Sequence, residues 1–474
     1  MPSRPRPTAA ALALVIAALL GGVACAERPP RHLVLVVVDT LRADRLGVYG
    51  HERATSPELA RWAERGALFE RAFATSPWTL PSFASLLTGL PPARHGAGSA
   101  LRGNVARVQH DRNPLLGMRL HGEERWFLGL DPSVPTLAER LRQAGFETAA
   151  FVNNPFLSRG FGLARGFDHW DHEPGGDLVS RRADEMVDRF LAWRDASDAE
   201  RSFTLLHLFD PHMSYDAPPP FAGRFRGADS SGSPSARFEG PVRSTPAVRA
   251  AAPGLAPADR AAIAAAYDEE LAFVDAQLGR LLDALEARGA LREGLVVLTA
   301  DHGEELFEHG GFGHGHAMHD ELLRVPLLFW GGALVPGRRD TPVSIADLPA
   351  TLLDAVGLDP PEAGVSLWPL LAGQGPPQAP RTLLAENPGS DDDAVAAIDW
   401  PYKLVRARAS GREALYDLEA DPGESADRAA QHPEVRRRLA EALDALSAQT
   451  GGEGRPVELD PDTRERLRGL GYLE

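Results

Sequence analysis

The run His32-Leu33-Val34-Leu35-Val36-Val37-Val38 constrains the fold more than any other stretch of the chain. It is continuously apolar and rich in β-branched residues, the pattern of a strand buried on both faces of a mainly parallel sheet. It stops at Asp39, which puts a carboxylate at the carboxyl end of a central strand, the edge where open α/β sheets place their sites. A second such run, Gly294-Leu295-Val296-Val297-Leu298-Thr299-Ala300, stops at Asp301-His302. The same architecture thus delivers candidate ligands to one edge twice.

Between these runs the pattern alternates. Thr136 to Ala144 reads as a helix, Thr148 to Val152 as a strand, and Phe203 to Phe209 as a strand ended by Asp210. A long helix is predicted over Pro257 to Arg288, with proline in the first turn and Ile263, Leu271, Val274, Leu278, Leu281 and Leu285 near helical spacing. Leu322 to Trp330 gives one more buried strand. This is α/β patterning, a large mostly parallel central sheet between helices. Gly96 to Leu130 and the Pro-, Gly- and Ser-rich Pro218 to Ala256 read as surface insertions, either substrate-facing loops or disordered segments. Past residue 375, Ala396 to Trp400, Tyr402 to Arg406 and Ala414 to Leu418 read as short strands and Val435 to Leu446 as an amphipathic helix, a small C-terminal α+β subdomain over 376–450. The main domain spans 31–375, and 451–474 is expected to be a tail.

The net charge of −16 argues against a nucleic-acid partner. A small anionic substrate then needs a metal or an arginine to hold it. Residues 1–26 read as a signal peptide, with Arg4 and Arg6 ahead of an uncharged run to Cys25. Leu20 to Cys25 fits a bacterial lipoprotein box, and Ala24-Cys25-Ala26 also fits ordinary secretion, so the expected location is the periplasm, the outer membrane through a lipid anchor on Cys25, or the exterior. A membrane-spanning anchor is the competing reading, although the apolar part is short for a span. Cys25 is the single cysteine, which excludes internal disulfides and cysteine-based metal clusters. Any metal must be held by Asp, Glu or His.

Two carboxylates and an imidazole converging with a hydroxyl make a metal site that turns the hydroxyl into a nucleophile. Asp39, Thr79, Asp301 and His302 are the candidates. Alone, each has an ordinary explanation, since an Asp at a strand end is commonly a turn or cap residue.

Together the surrounding motifs resemble the sulfatase family of the alkaline phosphatase superfamily. Val37-Val38-Asp39-Thr40-Leu41-Arg42-Ala43-Asp44-Arg45-Leu46-Gly47 is similar to its first metal-binding strand and loop, and Thr55 to Ala60 continues it. Ser76-Pro77-Trp78-Thr79-Leu80-Pro81-Ser82-Phe83 to Gly89 is similar to the nucleophile segment, a Cys-x-Pro-x-Arg core leading into a helix. Thr299 to Glu304 resembles the second metal motif, and Leu323 to Leu327 and Leu415 to Pro422 complete the resemblance, which covers about residues 31 to 430. It implies an alkaline-phosphatase-like fold, a divalent metal on Asp39, Asp301 and His302, and a nucleophile at position 79, at a helix N-terminus that favours an anion.

Three residues depart from the family's pattern. Thr79 stands at the cysteine that becomes formylglycine, Phe83 at an arginine that would hold the anion in two places, and Thr40 at the acid paired with Asp39. Threonine nucleophiles occur in related nucleotide pyrophosphatase/phosphodiesterases and phosphoethanolamine transferases, which implies phosphoester chemistry through a phosphothreonine.

Asp210-Pro211-His212 resembles the segment whose histidine faces the leaving group, and Gly313-His314-Gly315-His316 replaces the region of a family lysine. His212 and His314 are therefore candidate general acids. Asp210 and His316 are candidate substrate-binding groups, and Asp210, His212 and His314 are candidate ligands of a second metal. His309 and His319 are expected to be solvated on a glycine-rich loop. His302 among the ligands tilts the ion toward zinc or manganese, while the family also accommodates calcium or magnesium.

The expected activity is metal-dependent hydrolysis of a sulfate, phosphate or phosphonate ester, small or carried on a glycan or lipid. Transfer of a phosphoryl group to another acceptor, and a non-catalytic protein binding anionic glycans, are the competing readings.

Overall fold

A computed structural model describes residues 29–101, 118–120, 123–172, 180–226, 245–375, 379–388, 393–449, 452–470 and 472–473. The N-terminal segment with Cys25 lies outside them. Among the described residues no helix is long and apolar enough to cross a membrane.

The core is a nine-stranded sheet in the order 337–339, 67–73, 324–331, 294–300, 32–38, 202–208, 147–151, 169–171, with 343–344 also pairing with 67–73. His32–Val38 lies at its centre, parallel to both neighbours, and all but its first residue are buried. Arg324–Gly331 runs antiparallel to both Gly294–Ala300 and Ala67–Phe73. The strand expected from Leu322 begins instead at Arg324, because Asp320–Leu323 closes a short helical turn first. Ala67–Phe73 is a strand the periodicity did not reveal, since Glu70 and Arg71 interrupt its apolar run.

Helices flank this sheet in two groups. Pro57–Ala63 and Ala183–Ala196 pack on the long helix Pro257–Ala287, while Thr79–Thr88 packs with Leu137–Gln143 and Leu348–Ala355. The fold is thus mixed α/β with a large, mostly parallel central sheet between helices.

Four antiparallel strands, 383–386, 394–399, 402–407 and 413–417, form the C-terminal sheet. Helix Pro433–Ser447 covers it, burying Leu439, Leu443 and Leu446 against Val395, Ala397, Leu404 and Leu415. Lys403 fastens this unit to the main domain: its buried ammonium bridges Asp320 at 2.7 Å and Glu424 at 2.8 Å. Two acids close by hold it charged despite its burial.

The segment expected as a tail is built into the structure. Arg455–Pro456 pairs with the strand Glu123–Gly129 of the first insertion, which also pairs with Gly98–Leu101. A helix, Pro461–Gly469, follows under an Asp460 cap, and Leu467 is fully buried. The periodicity did not reveal this segment because two residues of strand and nine of mostly charged helix carry little apolar signal.

Candidate active site

Register brings the two acidic strand ends together. Val38 lies opposite Ala300 in adjacent parallel strands, so Asp39 and Asp301 emerge side by side. Thr40 follows in the left-handed region, φ 55°, with its N–H toward Asp301 Oδ1 at 3.4 Å and its carbonyl accepting from the Tyr267 hydroxyl at 2.7 Å. A non-glycine residue held there is a local strain of the kind that clusters at functional sites.

Asp39, Thr79, Asp301 and His302 are all fully buried and meet as the sequence suggests. Thr79 opens the helix Thr79–Thr88, and its Oγ1 lies 3.2 Å from His302 Nε2. His302 Nδ1 donates to the Gly303 carbonyl at 2.9 Å, which leaves the Nε2 lone pair facing Asp39, Asp301 and Thr79. Ser82, one turn into the helix, donates to the Asp301 carbonyl at 2.5 Å and ties the helix to the strand end.

Burial works against an ionised Asp39, but His207, His212 and His302 outweigh it and hold the carboxyl below its usual range. Asp301 goes the other way: burial and the neighbouring Asp39 charge push it well up. Burial lowers His302, His212 and His314, so their free nitrogens are acceptors at neutral pH. Asp39 Oδ1 and Asp301 Oδ2 are buried with no hydrogen-bond partner among the described residues. Two adjacent carboxyls with bare oxygens, an imidazole lone pair and a hydroxyl fit a divalent cation, and Asp39, Asp301 and His302 offer ligand atoms within 4.8 Å of one another.

His212 and His314 also come together, with ring centroids 5.0 Å apart, and His314 lies 4.5 Å from the His302 ring. His212 Nδ1 donates to the Met213 carbonyl at 2.8 Å, and His314 Nδ1 faces Glu304 Oε1 at 2.8 Å. Asp210 does not join them. Its Oδ2 accepts the Ala183 N–H at 2.7 Å at the start of the helix Ala183–Ala196, on the side of Glu270, so the Asp210, His212 and His314 ligand set is not assembled. Nor does His316 face the site: it pairs with Glu305 at 2.6 Å. His309 is exposed, as expected, and also pairs with Glu321 at 2.7 Å and stacks on half-buried His319 at 3.6 Å between centroids.

Four site residues were not anticipated. Asn154 Nδ2 donates to Asp39 Oδ2 at 2.8 Å and to Thr79 Oγ1 at 3.3 Å. His207 Nε2 stands 3.3 Å from Asp39 Oδ2, with Phe83 edge-on to its ring at 5.3 Å, so the phenylalanine at the expected arginine position lies in the floor of the site. Glu304 holds His314 and accepts from the Tyr215 hydroxyl at 3.2 Å. Tyr472 reaches in from the C-terminal segment. His207 is the one ionisable residue in the fully buried strand Ser202–Leu208, and Asn154 follows a strand end. Those were the available signals.

Acids and imidazoles gathered at the carboxyl ends of parallel strands, beside a hydroxyl on a helix N-terminus, define an ester hydrolase of the alkaline phosphatase superfamily. The chain belongs to the sulfatase family, whose model matches residues 31–358; members of that family are typically divalent-metal dependent. It is 26% identical to a Delta 4,5-hexuronate-2-O-sulfatase of Bacteroides thetaiotaomicron over 96% of each chain. With human arylsulfatase A it shares 27% identity, covering 92% of this chain and 90% of that one. Among solved structures it is similar in fold to a phosphonate monoester hydrolase of Agrobacterium radiobacter, with TM-score 0.67, 24% identity, and 89% and 96% of the two chains covered.

Proposed function

We propose that the protein hydrolyses a sulfate or phosphonate ester, with phosphate esters as chemical neighbours, and that Thr79 is the nucleophile in the place of the family's modified cysteine. The observation that carries this reading is the position of Thr79 Oγ1, buried at a helix N-terminus and 3.2 Å from His302 Nε2, beside two carboxyls with unpartnered oxygens. A divalent ion on Asp39, Asp301 and His302 would lower the pKa of the hydroxyl and offset the charge of the anion. The chain's own residues do the rest. Asn154 orients Thr79 and Asp39. The N-terminus of helix Thr79–Thr88 favours the incoming anion. As Thr79 Oγ1 bonds to sulfur or phosphorus, its proton passes through solvent to the acceptor nitrogen of His212 or His314, the bond to the leaving oxygen breaks, and that histidine returns the proton to it. Water then cleaves the ester on Thr79 and regenerates the hydroxyl.

Sulfate esters are favoured by the family and by the hexuronate sulfatase relative, which supports an anionic sugar as carrier. Phosphonate esters are supported by the phosphorus chemistry open to a threonine, which, unlike the modified cysteine, forms no aldehyde hydrate. Residues 1–26 support export.

Turnover of aryl sulfate, phosphate monoester, phosphate diester and phosphonate monoester substrates, with metal analysis of the same preparation, tests the reading. Thr79→Ala is expected to abolish turnover and mass spectrometry to find the trapped group on Thr79. Unchanged turnover in Thr79→Ala would exclude it as nucleophile.

A further inference from the structure

The C-terminal segment carries one aromatic hydroxyl into the site. Tyr472 Oη lies 2.5 Å from His314 Nε2 and 3.3 Å from His212 Nε2. The other nitrogen of each ring is already engaged, His314 Nδ1 by Glu304 and His212 Nδ1 by the Met213 carbonyl. Each histidine thus has one nitrogen left, and both point at the same oxygen. A hydroxyl carries a single hydrogen, so it satisfies one of the two and holds the second weakly.

Its placement follows from the segment that bears it. The Tyr472 ring packs edge-on against Phe156 at 4.8 Å, and its N–H donates to the Leu467 carbonyl at 2.9 Å. Val457 N–H donates to the Phe127 carbonyl at 2.9 Å, and Val457, Leu459, Leu467 and Leu473 are buried. A terminus anchored at so many points forms a wall of the site.

We propose that Tyr472 is a specificity-determining residue: its hydroxyl occupies the place that a leaving-group oxygen must take to meet His212 and His314, and a substrate is accepted when its leaving group displaces that hydroxyl. This rests on the assignment of the two histidines to the leaving-group side. The phenol acts as a competing ligand within the chain. Leaving groups slim enough to pass the Tyr472 ring, which is held against buried Phe156, win the exchange, and bulkier ones do not fit against it.

Full-length Tyr472→Phe keeps the ring packing and removes the competitor. Its KM for 4-nitrophenyl esters is expected to fall about three- to tenfold, the worth of one displaced hydrogen bond, with kcat within about twofold. Tyr472→Ala is expected to raise kcat/KM for 4-methylumbelliferyl over 4-nitrophenyl esters. An unchanged KM, or a fall in kcat/KM for Tyr472→Phe, overturns the proposal. Wild-type protein inert toward every ester in the panel would count against the hydrolase reading instead. Calorimetry with phenylphosphonate then decides the role of Tyr472: tighter binding to Tyr472→Phe supports it, and equal, weaker or absent binding overturns it.

Discussion

Asn154 spans Asp39 and Thr79 with one amide group, donating 2.8 Å to the carboxylate and 3.3 Å to the hydroxyl. Its own Oδ1 accepts the Phe156 N–H at 2.9 Å, which fixes the direction of the amide. Asn154→Ala is expected to lower kcat/KM by about 10- to 100-fold, as losses of outer-shell partners do, while Tm moves little. Asn154→Asp puts a third carboxylate beside Asp39 and is expected to lower the Tm of the metal-free protein more than alanine does. Steady-state kinetics beside thermal unfolding separates the two effects.

Binding of a divalent ion is expected to release a proton, because burial and the Asp39 charge push the Asp301 carboxyl up in its absence. A ligand must be deprotonated, so affinity rises with pH until Asp301 ionises unaided. In the metal-free protein the sign is the usual one for a raised carboxyl: the strain is absent below the ordinary Asp range and grows as pH climbs toward the raised pKa. Calorimetric titration with zinc or manganese in buffers of different ionisation enthalpy reads the proton count. A count of zero at neutral pH would contradict the assignment, and Asp301→Asn should bring the count down.

How far the sequence spoke for this site depended on distance along the chain. Asp39, Asp301 and His302 were legible because each ends a run of buried residues, and the parallel register of two neighbouring strands does the rest. Thr79 was legible through the motif around it. Asp210 follows the same strand-end logic and yet turns away: Ala183 N–H, at a helix start 27 residues distant, offers its carboxylate a partner on the other side. Tyr472 had no local signature at all. Its position depends on strand pairing between residues 455–456 and 128–129, more than 300 residues apart, and no periodicity encodes that pairing.

His309 is a second place where pH enters, away from the metal ligands. The Glu321 carboxylate at 2.7 Å raises it to about 9 from an ordinary 6.5. A raised histidine contributes stability that is fully present below about pH 6.5 and is lost as pH rises through about 9. Its stacked neighbour His319 is held low by burial and by the His309 charge, so the pair carries one proton. Tm of wild type is therefore expected to fall between those two values more steeply than that of His309→Gln. Parallel Tm profiles would show that the Glu321 contact contributes nothing.

Gly454 decides whether the C-terminal segment can dock. A Cβ there would lie 2.0 Å from the Gly96 carbonyl oxygen, and one at Gly96 would lie 2.4 Å from the Gly454 nitrogen, so two backbones cross where only hydrogen fits. The clash is with main chain, which cannot rotate aside. Gly454→Ala is expected to cost about 1–3 kcal/mol, felt mainly by the segment itself, since the central sheet and the Asp39, Asp301 and His302 cluster lie on other elements. Limited proteolysis should then cut between residues 449 and 460 in the variant under conditions that leave wild type intact. Because the same crossing holds Tyr472 against His212 and His314, the variant is also expected to shift KM in the direction of Tyr472→Phe. A variant that resists the protease and keeps the wild-type KM would mean that the crossing does not position the segment.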